Sequence, residues 1–349
     1  MGEINENAFR KRKVTIRDIA EEAGVSNSMV SRVVSGNGVV SEANRIRINE
    51  LLEKYKYKPN AMARGLQKSK TGLIGFVIPH IGNEYFSSVY YEFEKHASEA
   101  GYMTTLYNGK SDPVVESRIL SALEEARVEA TVIMGGRLDL MQLENHYTDE
   151  LRDFAADIPS VLCTIRADEF GCMGVHSDDA MACSILVRYL KDRKYRTVGI
   201  LGGTEMSFPS AYKRKCILEE LAKAGLETRP EWIIGDSFNE IDGAQSMRAL
   251  LKCEEVPEVV FCMNDHVAFG ALIEARDSGL RIPQDISIIG ADGVEISTMS
   301  RPAISTVKID FKTYGTKLFE AMKAAIAGEE YPQLTLIKPE LIIRGSSRP

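Results

Sequence analysis

The chain has 349 residues, of which 44% are hydrophobic and 27% charged, a composition that fits a globular protein of two or three domains. No apolar run approaches the ~20 residues needed to cross a bilayer, and the start, MGEINENAFRKRK, lacks the apolar stretch of a signal peptide. We therefore expect a cytoplasmic protein that does not bind membranes. The six cysteines are scattered without a C-x-x-C pair, which favours reduced thiols over a metal site or a disulfide framework.

The net charge of -7 is unevenly distributed along the chain. Residues 1–70 carry 14 Lys and Arg against 8 Asp and Glu, whereas the rest of the chain carries 29 against 42. A basic beginning on an acidic remainder is typical of proteins in which only the beginning contacts nucleic-acid phosphate. A solvated basic tail is the alternative, and it requires that this segment have no fold of its own.

The basic segment has the pattern of three short helices. Thr15 precedes an apolar stripe at helical spacing, and Asp18 lies three residues later as in a capping box. Gly24 ends this helix, because glycine adopts the left-handed conformation at low cost. Ser26 and Ser41 are expected to cap the second and third helices. Two helices joined at a glycine turn and braced by a third predict a helix-turn-helix.

The second helix turns its valines inward, which leaves Asn27, Ser28 and Met29 at its exposed N-terminal end and Arg32 one turn further on. In a helix-turn-helix that end enters the major groove, where Asn can pair with adenine and Arg with guanine. A solvated polar face is the alternative, and the basic charge of the segment argues against it. Hydroxyl side chains are expected to contact phosphate; these are Thr15, Ser26 and Ser31.

Residues 60–67, NAMARGLQ, follow Pro59 and form a capped stretch of only two helical turns. Isolated helices shorter than ~12–15 residues are marginal in water, and Gly65 weakens this one by about 1 kcal/mol relative to Ala. We expect this segment to be mostly unfolded on its own. A plain linker is the alternative, but it does not explain the capped Ala-Met-Ala-Leu pattern.

Beyond residue 70, apolar strands alternate with amphipathic helices, which predicts parallel sheets. Two similar sets of strands predict two doubly wound halves; the sets are LIGFVIP, MTTLYN, ATVIMGG and PSVLCTI, then RTVGILGG, EWIIGD, PEVVFCM and ISIIGAD. The GKS at 109–111 lacks the earlier glycine of a P-loop, and other catalytic motifs are missing. The five histidines show no metal-ligand spacing. We therefore expect no enzymatic activity, metal or cofactor.

Polar side chains follow two strands of the second set. Open α/β sheets bind ligands at the carboxyl ends of their strands. Asn264 and Asp265 follow EVVFCM, and Asp292 follows SIIGA, so these residues indicate a ligand site. Asp265 is expected to cap the following helix instead. Tyr85 and Phe86 either line the same site or simply pack.

The run VTIRDIAEEAGVSNSMVSRVVSGNGVVSEANR, followed by YKYKPNAMARGL and TGLIGFVIP, resembles the lactose/galactose-type (LacI/GalR) bacterial repressors. The resemblance covers roughly residues 14–346. It implies an all-α helix-turn-helix head and an α/β body like a periplasmic binding protein, in a homodimer that binds a near-palindromic DNA operator. It also implies control by a small-molecule effector, with a sugar or sugar derivative as the first expectation. For the effector, the alternatives are an anionic metabolite and a protein co-regulator. For the function of the whole protein, the alternatives are a free solute-binding protein and an enzyme on the same scaffold.

The resemblance also implies the domain boundaries. The head is expected to span residues 1–59, the hinge 60–70 and the effector-binding body 71–349. Within the body, the chain is expected to cross between halves near residues 173, 300 and 330. The first half would then contain residues 71–173 and 301–330, and the second 174–300 and 331–349.

Individual DNA contacts follow from the same resemblance. Asn27 and Ser28 fall on the positions that choose the operator, and Arg32 falls on a base-reading arginine. Met29 stands where a small polar residue is usual and could touch a thymine methyl, while Ser35 stands where Asn is usual. The hinge is expected to order in the minor groove, with an apolar wedge between central base pairs. The hinge contacts are Asn60, Ala63 and the wedge Leu66.

The expected effector contacts come from both halves of the body. Three nearby positions depart from the pattern of sugar-binding members. Lys213 replaces an Arg and loses its planar fork, Thr164 replaces a frequent Asp, and Ala291 replaces a frequent aromatic residue. Fewer carboxylates and a point cation favour an anionic ligand or a protein co-regulator. The expected contacts are Tyr85, Phe86, Lys213, Phe238, Asn264 and Asp292.

Overall fold

A computed structural model describes residues 14–35, 39–57 and 71–349. The chain forms two compact units, which divide between Thr71 and Gly72. None of the helices in these ranges is long and apolar enough to span a bilayer. The predicted hinge segment, residues 60–67, lies outside the described residues.

The first unit contains three helices, α1 (Ile16–Ala23), α2 (Asn27–Ser35) and α3 (Glu42–Lys54). Their apolar stripes meet in a small core, which confirms the predicted helix-turn-helix braced by a third helix. The fully buried side chains of this core are Ile19, Ala20, Ala23, Val30 and Ile48.

The helix ends of this unit follow local chemistry. The Oγ1 of Thr15 accepts from the amide of Asp18 (3.3 Å), whose carboxylate accepts in return from the amide of Thr15 (2.8 Å). Gly24 ends α1 with φ +65°, and the hydroxyl of Ser26 accepts an amide hydrogen bond from the first turn of α2 (3.3 Å). Ser41 precedes α3 but makes no side-chain cap hydrogen bond, contrary to the prediction.

The second unit is an α/β body built on two six-stranded sheets within residues 72–349. The strand order is β11-β5-β4-β3-β1-β2 in the first sheet and β12-β10-β9-β8-β6-β7 in the second. Neighbouring strands pair in parallel, except that β12 runs antiparallel to β10. The strands are β1 (Leu73–Ile78), β2 (Met103–Asn108), β3 (Ala130–Met134), β4 (Ser160–Cys163), β5 (Met173–Ser177), β6 (Val198–Leu201), β7 (Ile233–Ile234), β8 (Val259–Cys262), β9 (Ser287–Asp292), β10 (Ser305–Ile309), β11 (Leu334–Ile337) and β12 (Pro339–Ile342).

Helices cover both faces of each sheet, and an apolar cluster fills each face. Central strands are therefore buried on both sides and read as continuous apolar runs. The helices are α4 (Glu84–Glu99), α5 (Pro113–Glu125), α6 (Asn145–Asp157), α7 (Asp179–Asp192), α8 (Phe208–Ala224), α9 (Glu240–Leu250), α10 (Asp265–Asp277), α11 (Ile296–Met299) and α12 (Phe311–Ala327).

Each sheet with its helices forms one lobe, and the chain passes between the lobes three times. The passages follow β5, follow β10 and separate β11 from β12, so they lie near residues 178, 310 and 338. These positions are later than the expected 173, 300 and 330. The reason is that the four short strands bordering the passages, β5, β10, β11 and β12, have no long apolar run. The first lobe thus holds residues 72–177 and 310–337, and the second holds 178–309 and 338–349.

Candidate functional sites

The N-terminal end of α2 presents an exposed polar surface. Asn27, Ser28 and Arg32 are all exposed. Met29, which was expected on the same surface, is half-buried against the helical core, and its sulfur accepts a hydrogen bond from Asn44 (3.4 Å). A flexible apolar side chain folds back onto the core more readily than it stays in water. The exposed polar surface at this end of α2 therefore consists of two short polar side chains and an arginine.

The hydroxyl groups near this surface are partly engaged within the protein. The hydroxyl of Thr15 donates to Asp18 (2.6 Å), so a phosphate would have to compete with that bond. The hydroxyls of Ser26 and Ser28 lie 2.9 Å apart, and Ser31 is half-buried. The expected hinge contacts lie outside the described residues; these are Asn60, Ala63 and Leu66.

A cleft of about 680 Å³ lies between the two lobes of the body. It opens at the carboxyl ends of the central strands, which is where open α/β sheets bind ligands, and its volume suits a small molecule. The first lobe contributes two of the expected effector contacts and the second contributes four. All six line the cleft: Tyr85, Phe86, Lys213, Phe238, Asn264 and Asp292.

Aromatic rings form the first-lobe wall of the cleft. The rings of Tyr85 and Phe86 meet edge to face at 5.2 Å, and Phe311 lies 6.0 Å beyond Tyr85. Burial, reinforced by the charge of Asp292, raises the pKa of Tyr85 well above its ordinary value. The tyrosine hydroxyl therefore stays neutral and able to donate a hydrogen bond.

Asn264 has a structural role in the second-lobe wall. Its Oδ1 accepts from the amide of Val267 (2.8 Å), and its Nδ2 donates to the carbonyl of Phe238 (2.9 Å). Asn264, not Asp265 as expected, is therefore the N-cap of α10. An amide nitrogen carries two hydrogens, so one remains for a ligand.

Asp265 is fully buried and shapes the turn that presents Asp292. Its Oδ2 accepts from the amides of Gly293 (2.7 Å) and Val294 (2.9 Å). In this turn Asp292 has φ +94°, a conformation that residues other than glycine rarely adopt. Burial raises the pKa of Asp265 to about 8. The carboxyl group of Asp265 thus accepts two backbone hydrogen bonds that stabilise the turn at the strained residue Asp292.

One lysine and two carboxylates form the charged floor of the cleft. The Nζ of Lys213 lies 3.3 Å from Asp179. Burial works to lower the pKa of Lys213, but the charges of Asp179 and Asp292 outweigh it and raise the pKa. Burial likewise raises the pKa of Asp292 to about 6, with Lys213 opposing the shift and Asp179 adding to it. The cation is therefore already paired within the protein.

Several polar residues of the cleft were missed by the sequence analysis. Asp139 follows β3, and burial together with the charge of Glu116 raises its pKa to about 7 against the opposing charge of Arg166. Asp179 lies two residues after β5, a strand without a long apolar run, and Asp139 ends the 3₁₀ turn that follows β3, so a local pattern did not reveal either residue. The missed lining residues include His80, Asp139, His176, Asp179, Glu240 and His266.

Of the three positions that differ from sugar-binding members and favoured an anionic ligand, two do not line the cleft. Ala291 is buried in the second-lobe core, and Thr164, also buried, accepts from the amide of Arg166 (3.2 Å); neither lines the cleft. The expectation of few carboxylates is therefore wrong, because other strand ends supply them. In the part of the chain that the structure describes, no cluster of three or more His, Cys, Asp or Glu side chains could hold a metal ion.

Each of the two units of the structure matches a known protein family or domain. Residues 15–60 match the model of the lacI family of bacterial regulatory proteins, and residues 187–347 match a periplasmic binding protein-like domain. Among solved structures, the lac repressor dimer bound to operator and the anti-inducer ONPF superposes with a TM-score of 0.84 at 22% identity, covering 96% of this chain and 99% of that one. The transcriptional regulator CelR–cellobiose complex superposes with a TM-score of 0.70 at 22% identity, covering 96% and 100%.

A curated relative establishes the family. Catabolite control protein A of Priestia megaterium is 32% identical over 295 residues, which cover 84% of this chain and 87% of that protein. The aligned region is too long to reflect one shared domain alone. The chain therefore belongs to the lacI family of bacterial regulatory proteins, DNA-binding transcriptional regulators whose activity is controlled by an effector.

Proposed function

We propose that the effector is an uncharged, hydroxyl-rich molecule of the carbohydrate class, bound in the interlobe cleft without chemical turnover. The regulator acts in the cytoplasm as a homodimer, with a head at residues 1–59, a hinge at 60–70 and a body at 71–349. The observation that carries the choice of effector is the surplus of hydrogen-bond acceptors in the cleft.

That surplus has three sources. Within the described residues, the carboxylates of Asp139 and Asp292 have neither a hydrogen-bond partner nor an ion pair, although both line the cleft. His176 adds a third acceptor, because its Nδ1 lies 2.9 Å from the carbonyl of Ser177 and must donate to it. In an imidazole that carries its single hydrogen on Nδ1, the Nε2 is an acceptor. A ligand with several hydroxyl donors matches these groups, and the rings of Tyr85 and Phe86 suit its apolar face.

An anionic effector is the weaker candidate on the same evidence. A phosphate or carboxylate would share the cleft with Asp139 and Asp292, and like charges repel strongly in a poorly solvated site. The cation that could bind it, Lys213, is already paired with Asp179. One solved structure of the same fold is a complex with cellobiose, which is in line with the carbohydrate class.

On DNA, we propose that Asn27, Ser28 and Arg32 read bases in the major groove. Ser26 and Ser31 contact phosphate, and Thr15 does so in competition with its own cap. In the hinge, Asn60 and Ala63 contact the minor groove while Leu66 wedges between base pairs. One helix-turn-helix reads only a half-site, so a dimer reads a near-palindrome. The lac repressor structure, a dimer bound to operator, supports this arrangement.

The test is a thermal-shift screen of the full-length protein against matched sets of neutral sugars, sugar phosphates and nucleosides. A ligand at 100 times its Kd stabilises the folded state by ~2.7 kcal/mol, which is readily measured. Hits are then added to a fluorescence-anisotropy titration with operator DNA selected from a random pool. We expect neutral sugars to shift both the melting temperature and the DNA affinity. Selective stabilisation by sugar phosphates would contradict the proposal.

A further inference from the structure

Arg166 follows β4 in the first lobe, and its side chain holds the backbone on either side of Asp139. Its Nη2 donates to the carbonyl of Leu138 (2.8 Å) and to that of Leu140 (3.0 Å). A planar guanidinium can serve two acceptors in a fixed geometry, which a lysine ammonium cannot reproduce. Arg166 therefore fixes the direction in which Asp139 points into the cleft.

The same guanidinium reaches the second lobe. It lies over the ring of Phe208, the first residue of α8, at 4.1 Å from the ring centroid, well within the range of cation–π interactions. The helix α8 also carries Lys213, the paired cation of the cleft. The buried Nε of Arg166 has no hydrogen-bond partner among the described residues, so the guanidinium is held by the two carbonyls on one lobe and the ring on the other.

Backbone contacts join the same two segments. The amide of Met141 donates to the carbonyl of Met206 (3.1 Å) across the cleft, and Leu140 forms an isolated antiparallel bridge with Ser207. The residues that Arg166 holds in the first lobe are thus adjacent in sequence to those that pair with the second lobe. A simple brace within the first lobe would need neither the ring of Phe208 nor this bridge.

We propose that Arg166 is a positioning residue that fastens the two lobes across the cleft and thereby couples the placement of Asp139 to that of α8. When the lobes separate, the contact of Arg166 with the Phe208 ring and the hydrogen bond from the Met141 amide to Met206 are lost together. The consequence for effector affinity rests on the proposed function, whereas the fastening itself does not. Arg166 touches no ligand in this scheme; it acts through Asp139 and Phe208.

The test measures amide hydrogen exchange of Met141 in the full-length protein without ligand, by mass spectrometry with fragmentation to single residues. The exchange rate of this amide reports how often the cross-cleft bond opens. Arg166→Lys keeps the charge but removes the planar face, and Phe208→Leu removes the ring while leaving Arg166 intact. The matched control is Arg152→Lys, an exposed arginine of the same lobe whose Nε donates to the carbonyl of Glu169.

We expect both variants to accelerate exchange of Met141 by roughly two- to thirtyfold, the equilibrium equivalent of one cation–π contact, and the control to leave it unchanged. The amides of Leu138 and Leu140, which bond within their own turn, should not change in Phe208→Leu. An unchanged Met141 rate in either variant overturns the proposal. So does equal acceleration of Leu138, Leu140 and Met141 by Phe208→Leu, because that pattern indicates general loosening. Since no effector is present, failure of the carbohydrate proposal leaves this result unaffected.

Discussion

Effector affinity should fall steeply when the pH is lowered from 8 to 5.5. Under the proposed function, hydroxyl groups of the effector donate to the ionised carboxylates of Asp139 and Asp292. Burial raises the pKa values of these groups to about 7 and about 6. Protonation removes the charge that makes each carboxylate a strong acceptor, so acidification should weaken binding at a pH well above the ordinary range of aspartate.

The magnitude follows from these two pKa values. At pH 8 about 90% of Asp139 and nearly all of Asp292 are ionised, whereas at pH 5.5 the ionised fractions are about 3% and about 24%. The doubly ionised fraction therefore falls about a hundredfold, which corresponds to ~3 kcal/mol of binding free energy. Two sets of neighbouring charges bear on the change: Glu116 and Arg166 beside Asp139, and Asp179, Lys213 and His266 beside Asp292. This loss of about a hundredfold is the part that these two carboxylates contribute by themselves.

Isothermal titration calorimetry with the sugar identified by the screen, at pH 5.5 and pH 8, measures the change directly. Asp139→Asn and Asp292→Asn should each remove their own part of the pH dependence. Asp277→Asn, an exposed aspartate at the end of α10, should leave the full dependence in place. An affinity that stays constant or rises on acidification would refute the assignment of these carboxylates as acceptors.

Three further predictions follow from individual contacts. Asn264→Ala should lower the free energy of unfolding, measured by urea denaturation, by about 2 kcal/mol. About 1 kcal/mol comes from the lost helix cap and about 1 from the lost hydrogen bond to Phe238. Asn264→Asp keeps the cap acceptor and should therefore lower the free energy of unfolding by only about half as much. Arg32→Ala should weaken binding to the cognate operator by ~1–3 kcal/mol and relax the preference at one base pair; selection from random DNA that returns an unchanged consensus would assign base reading to other residues. The body should become less stable as the pH rises from about 5 to 8, because folded Asp265 and Asp139 keep protons that the unfolded chain has already released; Asp265→Asn should flatten this slope in thermal melts at a series of pH values.

The features predictable from sequence were those that depend on neighbours along the chain. The capping box of Thr15 and Asp18 and the glycine stop at Gly24 each involve residues within one or two helical turns, so a local pattern is sufficient. Central strands are apolar on both faces and stand out as runs of Val and Ile. The strand β11 could not be found in this way, because two of its four residues are exposed. Missing it and its neighbours shifted the expected lobe crossings.

The charge balance of the cleft could not be predicted, because it depends on pairing between distant segments. Lys213 has the sequence appearance of a free cation for an anionic ligand, but Asp179, 34 positions earlier in the chain, neutralises it at 3.3 Å. Asp139 is the last residue of the short 3₁₀ turn that follows β3, so its place near the strand end was not evident. Strand ends pointed to residues that line the cleft, whereas only the folded arrangement reveals which charges remain unpaired there.

Asp265 and Asp292 illustrate the same limit in a single turn. Sequence places both at the ends of neighbouring parallel strands, β8 and β9, which makes each a candidate ligand contact. The structure gives them different roles, because Asp265 is fully buried and bonds two amides while Asp292 lines the cleft with a strained backbone. The hydrogen bonds that Asp265 accepts fix the two residues after Asp292 and so help to hold the strained conformation. A change at Asp265 should therefore act on effector binding through Asp292, although Asp265 itself does not line the cleft.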